Sequence, residues 1–274
     1  IYVVSASSTS DGIGGSYSLN YKYSGMKASQ DGRGMLGFRT MDTTDPQTGI
    51  VTHNEYRQDY PYTGLPTLST KKINGTLLNQ AQNAYTAVAL GGTRYAVQLT
   101  QSVESSYELN GSLVTTVTTT NQYDSFGNPT QIVVSTGDGY SKTTANTYTN
   151  DSTNWLLGRL TLASVTSATP AAGTLTRTSS FAYHATNGLL TQEVIEPNIA
   201  ALRLQTDYSY DGYGNKLSVT VSGSGIASRT TSSVYDARGQ FPITTTNALN
   251  HSDTGTYDAR FGKAATLTGP NGLT

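Results

Sequence analysis

Apolar and polar residues alternate along much of this chain in short runs that stop at turn-forming residues. Lys216-Leu217-Ser218-Val219-Thr220-Val221 has the period of two that marks a β-strand with one face turned inward. Gly223-Ser224-Gly225 and Gly269-Pro270-Asn271-Gly272 punctuate the pattern and send the chain back. Runs of roughly 6–9 residues separated in this way predict on the order of twenty short strands. Thr40–Thr44, the loop Asp45-Pro46-Gln47-Thr48-Gly49 and Ile50–Tyr56 predict one hairpin. Only Leu77–Leu90 contains a cluster of helix-tolerant residues. Tyr85-Thr86-Ala87-Val88 turns it back towards strand, and β is expected there too.

The pattern repeats. Tyr123-Asp124-Ser125-Phe126-Gly127, Tyr210-Asp211-Gly212-Tyr213-Gly214 and Tyr235-Asp236-Ala237-Arg238-Gly239 share Tyr-Asp-x-x-Gly, and Tyr257-Asp258-Ala259-Arg260-Phe261-Gly262 adds one residue. Tyr183-His184-Ala185-Thr186-Asn187-Gly188 is a looser copy, Tyr60-Pro61-Tyr62-Thr63-Gly64 a degenerate one, and Tyr148 fits the spacing with a longer turn. The wide step from Tyr148 to Tyr183 predicts an insertion around Thr166–Thr174, looping at Pro170-Ala171-Ala172-Gly173. Each copy has one physical reading. Tyr ends a strand with its ring over the sheet, Asp opens a turn by accepting backbone N–H bonds, and Gly takes the positive φ. The repeated residues Tyr123, Asp124, Gly127, Tyr210, Asp211, Gly214, Tyr235, Asp236, Gly239, Tyr257, Asp258 and Gly262 are therefore expected to be structural turn residues.

Composition agrees with an all-β chain. Thr, Ser and Gly abound, Tyr numbers 19 against 5 Phe and 1 Trp, and charged residues are 13%, about half the usual share. Leu, Ala, Glu and Lys are too scarce for a helical bundle. With a net charge of −1 and scattered basic residues, no footprint for nucleic acid exists. No apolar run nears the ~20 residues of a membrane helix. The absence of cysteine excludes disulfides and thiolate chemistry.

The Tyr-Asp-x-x-Gly period resembles the RHS (YD) repeat family. Gly32-Arg33-Gly34-Met35-Leu36-Gly37-Phe38-Arg39, Asp45–Gly49 and Glu55–Pro66 resemble the middle region of bacterial insecticidal Tc toxin B-components and SpvB-like RHS proteins. Phe241-Pro242, Thr246–Leu249, Tyr257–Gly262 and Leu267–Thr274 resemble the start of their repeats, with Asn250 where Gly is expected. The resemblance implies a middle β region over residues 1–100 and YD repeats over 101–274 of a larger chain. A weaker boundary is expected near Gly91-Gly92. In that family an antiparallel hairpin sheet coils into a hollow shell, or cocoon, that holds a C-terminal toxic polypeptide. The implied partners are that cargo, neighbouring parts of the same chain and another toxin-complex subunit. The implied location is extracellular, after synthesis in the cytoplasm. A chain that begins mid-strand at Ile1-Tyr2-Val3-Val4 and stops just past a turn is expected to be a fragment.

No residues point to catalysis, a cofactor or a metal. His53, His184 and His251 are far apart and read as solvent-facing. Glu55/Asp59 and Glu104/Glu108 are four residues apart, about 13 Å along a strand, too far for a glycosidase pair. Glu193/Glu196 would fall on opposite faces. Gly223-Ser224-Gly225 lacks the helix of a nucleophile elbow, and Gly12-Ile13-Gly14-Gly15 lacks the Lys and helix of a phosphate loop. Asp138-Gly139 alone does not make a calcium loop. A second reading is an extracellular RHS or wall-associated repeat protein that binds a partner or glycan through its exposed sheet and edges.

Overall fold

The computed structural model describes residues 2–274. They form 21 strands and no helix. Two compact units emerge, Ile1–Thr144 with Thr166–Leu175, and Ala145–Val165 with Thr176–Thr274.

The first unit contains β1 (Ala6–Ser10), β2 (Ser16–Ser24), β3 (Lys27–Ala28), β4 (Met35–Gly37), β5 (Thr40–Thr44) and β6 (Ile50–Tyr56). It continues through β7 (Pro66–Ile73), β8 (Thr76–Ala89), β9 (Tyr95–Tyr107), β10 (Leu113–Tyr123) and β11 (Pro129–Thr136). The strands pair antiparallel in the order β1, β2, β5, β6, β7, β8, β9, β10, β11. β3 and β4 make a separate small hairpin that carries the Gly32–Phe38 block. Leu77–Leu90 lies in β8 apart from its last residue, as Tyr85-Thr86-Ala87-Val88 led one to expect. Gly91 and Gly92 sit in the turn between β8 and β9, inside the unit. Tyr2–Ser5 are not in a strand, contrary to expectation, and Ile1 lies outside the described residues.

β12 (Ser141–Asp151), β13 (Leu156–Thr169) and β14 (Gly173–Tyr183) are divided between the units. The predicted insertion is mostly strand, because β13 runs on to Thr169 and only Pro170–Ala172 turn. Extra residues with β-branched character lengthen a hairpin instead of looping out. The second unit continues with β15 (Leu190–Ile195), β16 (Leu204–Tyr210), β17 (Lys216–Gly223), β18 (Ile226–Tyr235), β19 (Pro242–Thr246), β20 (Ser252–Asp258) and β21 (Lys263–Thr268). From β14 to β21 each strand pairs antiparallel with the next.

Burial is slight. Val194, at 3% exposure, is the only buried apolar side chain among the described residues. The chain exposes 17260 Å², whereas a compact monomer of its mass exposes roughly 11,000 Å². Side chains meet instead as cross-strand pairs on the sheet face. Ser209 and Ser218 hydroxyls lie 2.6 Å apart, Thr220 and Thr230 2.9 Å, Thr246 and Ser252 2.8 Å, and Thr256 and Thr266 2.6 Å. Such pairs and the backbone ladder, more than a core, hold the sheet together.

Candidate functional site

The recurring structural feature is the strand end that carries the tyrosine. Opposite Tyr56, Tyr85, Tyr123, Tyr183, Tyr210, Tyr235 and Tyr257 the register slips by one residue. The returning strand thereby carries one extra residue: Thr67, Thr100, Thr130, Thr191, Leu217, Ile243 or Ala265 in turn. A bulge of this kind breaks the ladder and leaves a carbonyl without its backbone partner. Threonine repairs it at several places. Thr67 donates its hydroxyl to Glu55 O at 3.4 Å, Thr100 to Ala84 O at 3.1 Å and Thr191 to Ala182 O at 3.1 Å. Each acceptor belongs to the residue just before a repeat tyrosine. Thr161 makes the same bond to Thr147, before Tyr148, at 3.1 Å.

The tyrosine hydroxyls tie one repeat to the previous one. Tyr85 donates to Pro66 O at 2.9 Å, Tyr123 to Leu99 O at 2.9 Å, Tyr183 to Leu160 O at 2.9 Å and Tyr210 to Leu190 O at 2.7 Å. Pro66, Leu99 and Leu190 are themselves paired with the preceding tyrosines Tyr56, Tyr85 and Tyr183. The hydroxyls therefore step from each repeat to the one before it. Burial pushes the Tyr85 and Tyr183 phenols above their ordinary range. Tyr56, not Tyr60, holds the strand-end place in its repeat. Tyr60 lies in the following loop, with the Arg33 guanidinium 3.4 Å from its ring centroid. Tyr85 had no Tyr-Asp signature to mark it.

The turns follow the carboxylate logic. Asp124 Oδ1 accepts from the backbone N–H of Phe126 and of Asn128, both at 2.9 Å. Asp211 accepts from Tyr213 N at 2.8 Å and Asn215 N at 2.9 Å, and Asp258 from Arg260 N at 2.9 Å. Asp236 reaches further, to Gln240 N at 2.6 Å and Phe241 N at 3.1 Å. Gly127, Gly214, Gly239 and Gly262 have φ of 85°, 87°, 65° and 62°, where a Cβ is disfavoured. Burial works to raise the Asp211 carboxyl, but bonds from the Asn215 side chain and the turn amides leave it below its ordinary value. Tyr235 pairs with Pro242, and the Tyr257 ring stacks on Phe241 at 4.8 Å between centroids.

The remaining chemical candidates are scattered over the sheet. His53 is half-buried, contrary to its expected solvent-facing place, because β5 sets Asp42 directly opposite it. Its Nδ1 lies 2.5 Å from Asp42 Oδ1 and its Nε2 3.4 Å from Glu55 Oε1. The Asp42 bond, aided by Glu55, raises the imidazole above its ordinary value against the effect of burial. Asp59 is not on the strand with Glu55 as the spacing implied. It sits in the loop and pairs with Arg57. Glu108 also falls past its strand, where its N–H bonds Ser112 O at 2.9 Å. Glu193 lies 3.5 Å from the Tyr208 hydroxyl, while Glu196 is buried at φ 49° with Arg177 3.4 Å away. His184 Nδ1 faces the Thr186 hydroxyl at 3.2 Å, and His251 N–H donates to Asn247 Oδ1 at 3.1 Å within a turn. Gly12–Gly15 and Asp138-Gly139 lie in hairpin turns, and Gly223 ends β17 just before the turn at Ser224-Gly225. Among the described residues no three His, Asp or Glu side chains are arranged to hold a metal ion. No helix among them is long and apolar enough to cross a membrane.

No protein-family model and no curated protein matches this chain. Solved structures do. The structure of TcdB2-TccC3 aligns over 94% of this chain with a TM-score of 0.73 and 10% identity. TcdB2-TccC3 without its hypervariable C-terminal region aligns over the same 94% at 0.72, and TcdB2-TccC3-Cdc42 at 0.70, both at 10% identity. The chain covers only 21% of the TcdB2-TccC3 chain, about a fifth of its length. At that identity the likeness concerns the fold: this chain is built as an all-β antiparallel hairpin sheet similar to part of TcdB2-TccC3.

Proposed function

We propose that this chain is a stretch of wall in an RHS-type β-shell that encloses a C-terminal toxic polypeptide, with no catalysis of its own. The observation that carries the proposal is the similarity to TcdB2-TccC3 along almost the whole chain, joined to the Tyr-Asp repeats. Residues 1–100 would be the middle β region and 101–274 the YD repeats. The turn residues from Tyr123 to Gly262 would serve as structural fasteners. A sheet lined with hydroxyl pairs and almost without a core suits a wall wetted on both sides. The partners would be the enclosed polypeptide, adjoining parts of the same protein and a further toxin-complex subunit, in an extracellular setting.

The test is limited proteolysis of the intact protein that carries this chain, followed by mass spectrometry. An enclosed C-terminal polypeptide stays uncut under native conditions and is digested once the shell is denatured. Digestion at the same rate as the free polypeptide overturns the proposal.

A further inference from the structure

One element of the first unit takes no part in the long sheet. The β3–β4 hairpin stands apart from it and pairs only with itself. It is nevertheless fastened at both ends. Gln58, in the loop after β6, donates its side-chain amide to Gly25 O at 2.6 Å and to Gly37 O at 2.8 Å. These glycines, before β3 and at the end of β4, have φ of 65° and 79°. Tyr60 of the same loop holds the tip of the hairpin. The Arg33 guanidinium lies 3.4 Å from its ring centroid, and its hydroxyl donates to Thr93 O. Between hairpin and loop lies a cleft of about 400 Å³, within the range of small-ligand sites.

The cleft is lined by polar groups that the protein's own contacts leave unused. Lys27 and Arg33 bring it two positive charges and Asp31 one negative charge, while Ser29 and Gln30 add a hydroxyl and an amide. Among the described residues neither Lys27 nor Arg33 has a carboxylate within ion-pair distance. Asp59, whose carboxylate feels the Lys27 charge, is already bonded by Arg57 Nε at 2.8 Å. Tyr60 covers a face of the Arg33 guanidinium and leaves its N–H edge free, the planar fork that grips carboxylates and phosphates. A second cleft of about 300 Å³ adjoins, shares Lys27 and Gln58, and adds Arg39. Its own carboxylates are engaged, Glu55 with His53 and Asp59 with Arg57.

We infer that the cleft under the β3–β4 hairpin binds a small hydroxylated anion, a sugar acid or a sugar phosphate. Arg33 takes the acidic oxygens in its fork, and Lys27 adds a point charge beside them. Asp31 accepts protons from the ligand's hydroxyls, helped by Ser29 and Gln30. A neutral sugar would leave both cations without an anion. A bare anion would set its charge against Asp31 and offer that carboxylate no hydroxyl. Two cations against one carboxylate therefore select a ligand that carries both kinds of group. The inference does not depend on what a shell encloses, and the proteolysis test can fail while the cleft still binds.

The test uses the intact chain labelled with ¹³C at the leucine methyls, because Leu36 lines the cleft. Glucuronate and glucose 6-phosphate are titrated in, with glucose, acetate and inorganic phosphate as comparisons. The Leu36 signals should shift and saturate with at least one of the two acidic sugars, while those of Leu113 in β10 stay in place. A response to glucuronate alone assigns the acidic group as carboxylate, and a response to glucose 6-phosphate alone assigns it as phosphate. Arg33→Gln and Lys27→Gln should each weaken binding about tenfold or more. Lys71→Gln, which removes a charge from β7 outside the cleft, should leave it unchanged. Unchanged signals from the remaining leucines establish that a variant is folded, and one folded cleft variant suffices. Leu36 signals that ignore both acidic sugars overturn the inference. So does an equal response to glucose, acetate or inorganic phosphate, or undiminished binding in a folded Arg33→Gln or Lys27→Gln variant. An equal loss in Lys71→Gln overturns it too.

Discussion

Replacing Gly239 by alanine tests whether the turns act singly or as a row. The substitution meets two obstacles. At φ 65° any side chain enters the left-handed region, at a cost of about 1–2 kcal/mol. The new Cβ would also stand 2.5 Å from the Tyr213 ring and 3.0 Å from Asn215 Nδ2. Relief requires the ring to swing away or the bond from Asn215 Nδ2 to Gly239 O to lengthen, an overpacking cost of about 1–3 kcal/mol. Gly262 separates the two effects, since its φ is 62° and its Cβ would meet nothing within 4 Å. A stiffer unfolded chain returns about 0.4–1 kcal/mol in both variants. Gly262→Ala should therefore cost about 1 kcal/mol and Gly239→Ala about 2–4 kcal/mol. For a chain of this size those figures correspond to Tm losses of about 3 °C and about 6–12 °C, read by far-UV circular dichroism. Tyr213→Ala in the Gly239→Ala background should recover part of the loss, with a coupling energy above about 0.5 kcal/mol. Equal melting of the two glycine variants, or strict additivity in the double variant, would refute the contact between turns.

Other consequences can be checked in the same way. In urea titrations Tyr210→Phe, which removes the bond to Leu190 O, should cost about 1 kcal/mol, while Tyr213→Phe should be neutral. Thr191→Val keeps the shape of the bulge but strands the Ala182 carbonyl; it should cost about 1 kcal/mol and speed amide exchange at that strand end. His53 has a raised folded value, so its contribution is complete below the unfolded value near 6.5. That contribution is lost as pH rises through the folded value. His53→Gln should flatten the decline in stability above about pH 6.5 by about 0.5 kcal/mol, and an unchanged pH profile would count against the pairing with Asp42.

The local part of this architecture is legible in the residues themselves. Period-two alternation marks the strands, and an aspartate followed by glycine marks the turns, because both effects act within a few bonds. The hairpin from Thr40 to Tyr56 follows directly, and strand over Leu77–Leu90 follows from Tyr85–Val88 in spite of helix-tolerant neighbours, the observed strand being Thr76–Ala89. The fastening of one repeat to another is a different matter. That Thr67, Thr100 and Thr191 each cap a carbonyl across the hairpin depends on a register slip, and register belongs to the pair of strands. Tyr56 and Tyr85 occupy repeat positions with no aspartate beside them, since it is the bulge and the neighbouring strand that define the place. His53 is drawn to Asp42 only because the turn at Asp45–Gly49 sets the two opposite each other. Gly239 is needed for its φ, as its sequence position implies, and also for the Tyr213 ring of another turn. Strands, turns and their period are written into neighbouring residues, because short-range sterics and hydrogen bonds set them. Which repeat grips which comes from strand pairing in three dimensions, because those contacts join residues some twenty positions apart.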